Sequence, residues 1–231
     1  NYHDAIQDFS AAIDINPEYI EAYYNRGLAN IQMGNFKEAI DDYTQAIDIN
    51  PNFSKAYINR AIARVQSEGD YAGAVDDYTR VIDLNPDFVD AYMNRGLAKK
   101  KMENYIEAIQ DFNKVSLLKP NDISPTFNRG MSKLKLEDYR GAIIDMTTVI
   151  QAEPSHVEAY MNRGLAKEQL KDYAGAINDL NKTIDLEPRN IFAYCARALI
   201  KGEMENYKGA IADYTKAVEI DDKYAEAYYK R

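Results

Sequence analysis

Apolar residues in this chain recur at spacings of three and four, the period of a helix with one buried face, and not in the alternation of a strand. In the segment EAYYNRGLANIQM (residues 21–33), Ala22, Tyr23, Gly27, Leu28 and Ile31 fall on one side of a helix. Gly34-Asn35 interrupts it, and Phe36, Ala39, Ile40, Tyr43, Ala46 and Ile47 form a second stripe. Asn50-Pro51 ends that stripe, because proline cannot continue a helix and restricts the residue before it. The pattern predicts a helix, a short turn and a second helix.

The same pattern returns along the whole chain. Pro17, Pro51, Pro86, Pro120, Pro154 and Pro188 stand 34, 35, 34, 34 and 34 residues apart, with Pro125 out of phase. A fixed period of this length marks an array in which each repeat buries a face against its neighbour. In phase with the prolines stand Tyr23, Tyr57, Tyr92, Tyr160 and Tyr194, with Thr126 as the exception, and then the small residues Gly27, Ala61, Gly96, Gly130, Gly164 and Ala198. Ala39, Ala74, Ala108, Ala142, Ala176 and Ala210 mark a second small position. Helices approach closely only where no side chain intervenes, so these positions let each hairpin shut. The tyrosines read as core, with the ring buried and the hydroxyl wet. The extra residue of the one long interval falls around Ser67–Gly69, where a loop absorbs it at little cost. Every second helix opens with Asn or Asp: Asn1, Asn35, Asp70, Asn104, Asp138, Asp172 and Asn206. These are N-cap residues, whose side-chain oxygens accept a first-turn N–H. Asp4, Glu38 and Glu107, three residues further on, complement the helix N-terminus.

The 34-residue unit, with its AYxNRGLA and DYxxAI segments and its closing proline, resembles the tetratricopeptide repeat family over the whole chain. The resemblance implies an all-α fold, a right-handed superhelical solenoid of antiparallel helix pairs. Residues 1–231 are read as one solenoid: 1–19 the second helix of an incomplete repeat, then complete repeats at 20–53, 54–88, 89–122, 123–156, 157–190 and 191–224, with 225–231 opening another. The family often carries an apolar residue where this chain has Arg26 and its equivalents. The chain reads as a part of a longer array. An uncapped array exposes apolar surface at its ends, so residues 1–16 and 225–231 are expected to support weak head-to-tail self-association.

Composition narrows the function. The net charge is −9, which argues against nucleic acid as the main partner. The longest uninterrupted apolar run, Ile191 to Ala196, is far too short to insert in a membrane. One cysteine, Cys195, excludes an internal disulfide or a Cys-based zinc site, and His3 and His156 cannot supply a His-rich one. No nucleophile elbow, phosphate loop, dinucleotide fingerprint or zincin motif occurs, so no catalytic or cofactor-binding residue is predicted. His156 reads as an exposed turn residue and Cys195 as a small apolar one. Lys99-Lys100-Lys101 reads as a solvated helix end, and Asp41-Asp42, Asp76-Asp77 and Asp221-Asp222 as surface and salt-bridge residues.

Two series remain. The first is an Asn in five successive first helices, Asn25, Asn59, Asn94, Asn128 and Asn162, replaced by Ala196 in the last repeat. Asn is a mediocre helix former, so its recurrence needs a cause. Beside it stand Tyr24, Ile58, Met93, Phe127 and Met161. In the family this face lines a concave groove, and the resemblance implies a ladder of amides next to an apolar strip. An amide both donates and accepts, so it can satisfy a peptide bond without reading sequence. Alternatively, the ladder fixes the geometry between repeats. The second series pairs Arg26, Arg60, Arg95, Arg129, Arg163, Arg197 and Arg231 with Asp8, Asp42, Asp77, Asp111, Asp145, Asp179 and Asp213. A structural ion pair is expected, either within a repeat or, slightly favoured, with the preceding one, Arg26 reaching back to Asp8; the alternative is that the arginines face a ligand carboxylate. The Lys–Asn pair by which some relatives grip chaperone tails is missing, since no Lys precedes the ladder. The expected function is a scaffold that binds a protein or peptide in its groove and is not itself an enzyme. The alternatives are a docking segment of a larger enzyme, such as a transferase, and an assembly module using its end faces. The compartment is not readable from these residues, with the cytoplasm favoured.

Overall fold

The computed structural model describes residues 1–67 and 69–231; the extra residue expected around Ser67–Gly69 involves Glu68, which lies outside the described residues. Among the described residues the regular structure is helical throughout: α1 (Tyr2–Ile15), α2 (Ile20–Met33), α3 (Phe36–Ile49), α4 (Ser54–Ser67), α5 (Tyr71–Leu84), α6 (Val89–Lys101), α7 (Tyr105–Leu118), α8 (Ser124–Lys135), α9 (Tyr139–Ala152), α10 (Val157–Gln169), α11 (Tyr173–Leu186), α12 (Ile191–Glu203), α13 (Tyr207–Ile220) and α14 (Ala225–Lys230). They form two compact bodies, Asn1–Pro120 and Asn121–Arg231. In the first, each of α1 to α6 packs on the next helix, and α2 also touches α4. In the second, each of α8 to α13 packs on the next helix, and α10 touches both α8 and α12. The fold is all-α, built from the antiparallel helix pairs that the periodicity predicts.

Small residues set the closeness of each pair. A Cβ on Gly27 would stand 2.7 Å from the Tyr43 ring, and one on Gly96 would stand 2.8 Å from Phe112. Tyr43, Phe112, Met146 and Leu180 are thereby fully buried, each facing a glycine of its own pair. Among the described residues the Tyr43 hydroxyl finds no hydrogen-bond partner, and burial pushes its pKa up. Ala39, Ala74, Ala108, Ala142 and Ala176 are likewise fully buried.

The N-caps form with two exceptions. Asp70, Asp138, Asp172 and Asn206 accept from the N–H of Gly73, Gly141, Gly175 and Gly209, and Asn1 accepts from His3. A Cβ on Gly73, Gly141 or Gly175 would collide with the capping carboxylate. Asn35 and Asn104 occupy the same place but make no side-chain cap, and the third residue after each is Glu38 or Glu107 instead of glycine. The hairpin turns also diverge from the Gly34 type. Gly34 and Gly69 take positive φ, but so do Glu103, Glu137, Lys171 and Glu205, at φ 59–63°. A side chain with a Cβ is disfavoured there by roughly 1–2 kcal/mol.

Candidate functional site

A charged clasp recurs in all six complete repeats. Arg26 Nη2 lies 2.6 Å from Asp42 Oδ1, and Arg60–Asp77, Arg95–Asp111, Arg129–Asp145, Arg163–Asp179 and Arg197–Asp213 repeat the pair at 2.6–2.7 Å. Nε of each arginine donates to the same carboxylate at 2.9–3.1 Å, which makes the pair bidentate. The pairing is therefore within a repeat. The expected bond from Arg26 to Asp8 does not form, and Asp8 is exposed. The arginine does reach the preceding repeat, but through a neutral acceptor. Nη1 of Arg26, Arg60, Arg95, Arg163 and Arg197 donates to Ser10, Thr44, Thr79, Thr147 and Asn181. The guanidinium also lies over the ring three residues before it, 5.5–5.7 Å from the centroids of Tyr23, Tyr57, Tyr92, Tyr160 and Tyr194. Arg231 lies over Tyr228 in the same way.

Each carboxylate has a second partner that spacing alone did not single out. Arg64, Lys99, Lys133, Lys167 and Lys201 approach Asp77, Asp111, Asp145, Asp179 and Asp213 to 2.7–3.0 Å, and Asn30 donates to Asp42 at 3.1 Å. The Asp side chains are 1–5% exposed against 12–23% for the paired arginines. Burial pushes the carboxyls of Asp42 and Asp77 up, against the bonds from Arg26 and Arg60, which pull them down. Two expectations are corrected here. Lys99 belongs to a buried clasp and not to a solvated face, and Asp42 and Asp77 lie inside while Asp41 and Asp76 stay exposed. The signal was present in the sequence: a cation or amide recurs four residues after each arginine.

The amide row lies on the first helices. Asn25, Asn59, Asn94, Asn128 and Asn162 are all half-buried, but their bonding differs. In the first body Asn59 donates to the Tyr24 hydroxyl at 3.0 Å, joining α4 to α2. Asn25 and Asn94 make no hydrogen bond with another side chain or with the backbone among the described residues. In the second body Asn128 and Asn162 donate back to the carbonyls of Ser124 and Glu158, at 2.9 and 2.7 Å. The neighbours expected to form an apolar strip are half-buried as well. Tyr24 tilts against Tyr43 and Phe53, Ile58 packs on the same core, and Phe127 and Met161 join the cores of their own body. Met93, beside Asn94, is half-buried too.

His156 is corrected from an exposed turn residue to an N-cap. Its Nδ1 accepts from Ala159 N at 3.2 Å, and its ring lies 4.8 Å from Phe127. Cys195 packs with Ala198 and Tyr214, and burial pushes its thiol up, away from the thiolate that a nucleophile requires. Among the described residues no group of three His, Cys, Asp or Glu is placed to hold a metal, and no helix is long and apolar enough to cross a membrane.

Tetratricopeptide repeat family models match residues 20–53, 89–122, 127–190 and 193–224, and a model described as TPR repeat matches 1–34 and 66–103. No curated protein matches the sequence. Among solved structures, the C-terminal part of a TPR repeat-containing protein from Cytophaga hutchinsonii aligns over 100% of this chain and 94% of its own, at 18% identity and TM-score 0.82. YrrB, described as a TPR protein with an unusual peptide-binding site, aligns over 80% of this chain and 95% of its own, at 23% identity and TM-score 0.71. MamA from Desulfovibrio magneticus RS-1 aligns over 74% and 96%, at 22% identity and TM-score 0.70.

Proposed function

This chain belongs to the tetratricopeptide repeat family, and from that premise we propose that it is an interaction scaffold holding an extended peptide or a partner surface against its first helices. One observation carries the reading: Asn25 and Asn94 are half-exposed amides in mid-helix that make no hydrogen bond among the described residues. An Asn there is less favourable for the helix than Ala, and nothing in the fold compensates for it. A peptide bond would, since each amide can donate to its carbonyl and accept from its N–H. YrrB, a neighbour in fold, is described as having a peptide-binding site, which agrees in kind. Asn59 is already engaged by Tyr24, and Asn162 has its nitrogen engaged by Glu158, so the two free amides of the first body are the better contacts.

The test is selection of a displayed random-peptide library on the chain, followed by the double variant Asn25→Ala/Asn94→Ala. Each bond contributes about 0.5–1.5 kcal/mol net, so the selected peptides should bind the variant about tenfold more weakly. The melting midpoint should hold or rise. Unchanged binding with lost stability would make the amides structural and end the reading.

A further inference from the structure

The sixth repeat departs from its sisters along one face of α12. Phe192 stands where Glu21, Lys55, Asp90, Ser124 and Glu158 stand, and Ala196 stands where the other five repeats carry the amide. With Cys195 and Leu199 these residues fall at spacings of three, four and seven, on one side of the helix. Phe192 is 66% exposed and Leu199 48%. The exposure of Phe192 belongs to its place, since the five polar residues there are exposed as well. On α10, which touches α12, Leu165 holds the place of Leu199 and is also exposed. A single exposed leucine is ordinary, but an apolar face that replaces charge and amide together marks a contact surface.

Acids border the Phe192 end of this face. Glu158, at the place of Phe192 on α10, is exposed. Toward α14, Tyr224 meets the Phe192 ring edge-on, 6.4 Å between centroids, and its hydroxyl donates to Glu226 at 3.2 Å. Glu226 holds the equivalent place on α14 and is exposed too. Burial, and after it Glu226, push the Cys195 thiol up, so that carboxylate lies close to the face. The Leu199 end has no such bias, for Glu203, Lys230 and Arg231 stand there together. Hydrogen bonding decides what the face can hold. An extended segment brings an unpaired N–H and C=O at each residue, and Ala196 offers them neither donor nor acceptor. A helix satisfies its own backbone and presents side chains alone. The seven residues from Phe192 to Leu199 make about two turns, the span over which a partner helix repeats its anchors.

We propose that α12 docks an amphipathic helix of a partner protein, with apolar residues at i, i+3 or i+4 and i+7, and with Lys or Arg beside the anchor that meets Phe192, between Glu158 and Glu226. This goes beyond the groove reading above, which concerns the amides of the first body and an extended ligand, and does not depend on it.

The test is selection on the chain of a displayed library of helix-forming peptides of about 18 residues, long enough to hold a helix. The variant is Phe192→Glu/Ala196→Asn, which gives the sixth repeat the residues that the fifth carries as Glu158 and Asn162, and far-UV circular dichroism verifies its fold. Enriched peptides should carry apolar residues at helical spacing with Lys or Arg beside them. They should bind the variant about tenfold more weakly, because the Phe192 ring is no longer there to bury. They should bind Asn25→Ala/Asn94→Ala unchanged. Glu158→Lys, a residue that the same place accepts as Lys55, should weaken them about threefold at low salt and less at high salt. Enriched peptides that lack the pattern, or that bind both α12 and Glu158 variants like the wild type, overturn the proposal, as does a selection that enriches none. The groove reading is untouched by each of these outcomes, since it rests on its own selection and on Asn25 and Asn94. Self-association abolished by Phe192→Glu/Ala196→Asn would assign the face to a second copy of the chain and overturn the partner helix as occupant.

Discussion

The first complete repeat, residues 20–53, and the third, residues 89–122, are built on the same helix pair and differ along one stretch of the first helix. Asn30, Ile31 and Gly34 in and after α2 correspond to Lys99, Lys100 and Glu103 in and after α6. Around Asp42 the clasp is one guanidinium and one amide, so the buried group is neutral. Around Asp111 it is a guanidinium and an ammonium, and the ammonium also meets the exposed Glu107 at 3.7 Å. The backbone accommodates both, because the bidentate arginine fixes the carboxylate and the other group only completes its shell. The next place differs too, Ile31 in one repeat and Lys100 in the other.

The largest effect should come from removing the carboxylate. Asp111→Ala strands Arg95 and leaves Lys99 only the exposed Glu107, 3.7 Å away, at a cost of about 3–5 kcal/mol. Asp42→Ala strands only Arg26, which is 23% exposed and can turn to water, so its loss should be clearly smaller. Urea unfolding of the two variants makes the comparison; equal losses would show that Lys99 adds nothing to the difference.

Next comes Lys100, which stands where Ile31 stands in the first repeat; Lys100→Leu removes its charge. The pH dependence has a definite sign. A lysine whose folded pKa is lowered binds fewer protons folded than unfolded, so stability rises with pH between that lowered value and 10.5. The wild type should show this rise and the variant should lose it; a parallel pair of profiles would refute the assignment.

The smallest effect belongs to the turn. Glu103 sits at φ 62°, where Gly34 sits at φ 78°. Glu103→Gly relieves the left-handed strain, while the freer unfolded chain takes back part of the gain. A net stabilisation of about 0.5 kcal/mol is expected. Gly34→Glu should lose a similar amount, for no atom lies within 4 Å of a Cβ added there, and φ alone decides. Thermal melts with the signs reversed would mean that these turns are set by their side-chain contacts.

How much of this was legible depends on the kind of fact. The helix pairs, their small contact positions and the Arg–Asp partnership follow from period and phase, because a 34-residue beat places the same residue types in the same surroundings. Direction does not follow. Asp8 and Asp42 stand at identical phase, and a period cannot tell a neighbour in the same repeat from one in the preceding repeat. The arginine in fact uses both neighbours, with the carboxylate on one side and the hydroxyl on the other. Lys99 was misread because a run of three lysines looks solvated, whereas its first member points at a buried carboxylate one helix away. The amide row was legible as a row. That Asn59 and Asn162 are occupied while Asn25 and Asn94 are not depends on a tyrosine hydroxyl and a carbonyl that no spacing announces.

The split reach of each arginine gives the array a polarity in time. A ribosome releases the chain from its N-terminus. When Arg60 emerges, Thr44 on the preceding helix is already made, while Asp77 follows 17 residues later. Arg95 meets Thr79 and awaits Asp111 in the same order. Each nascent guanidinium can therefore dock on the completed part of the molecule before its own carboxylate exists, and that carboxylate then locks a register already chosen.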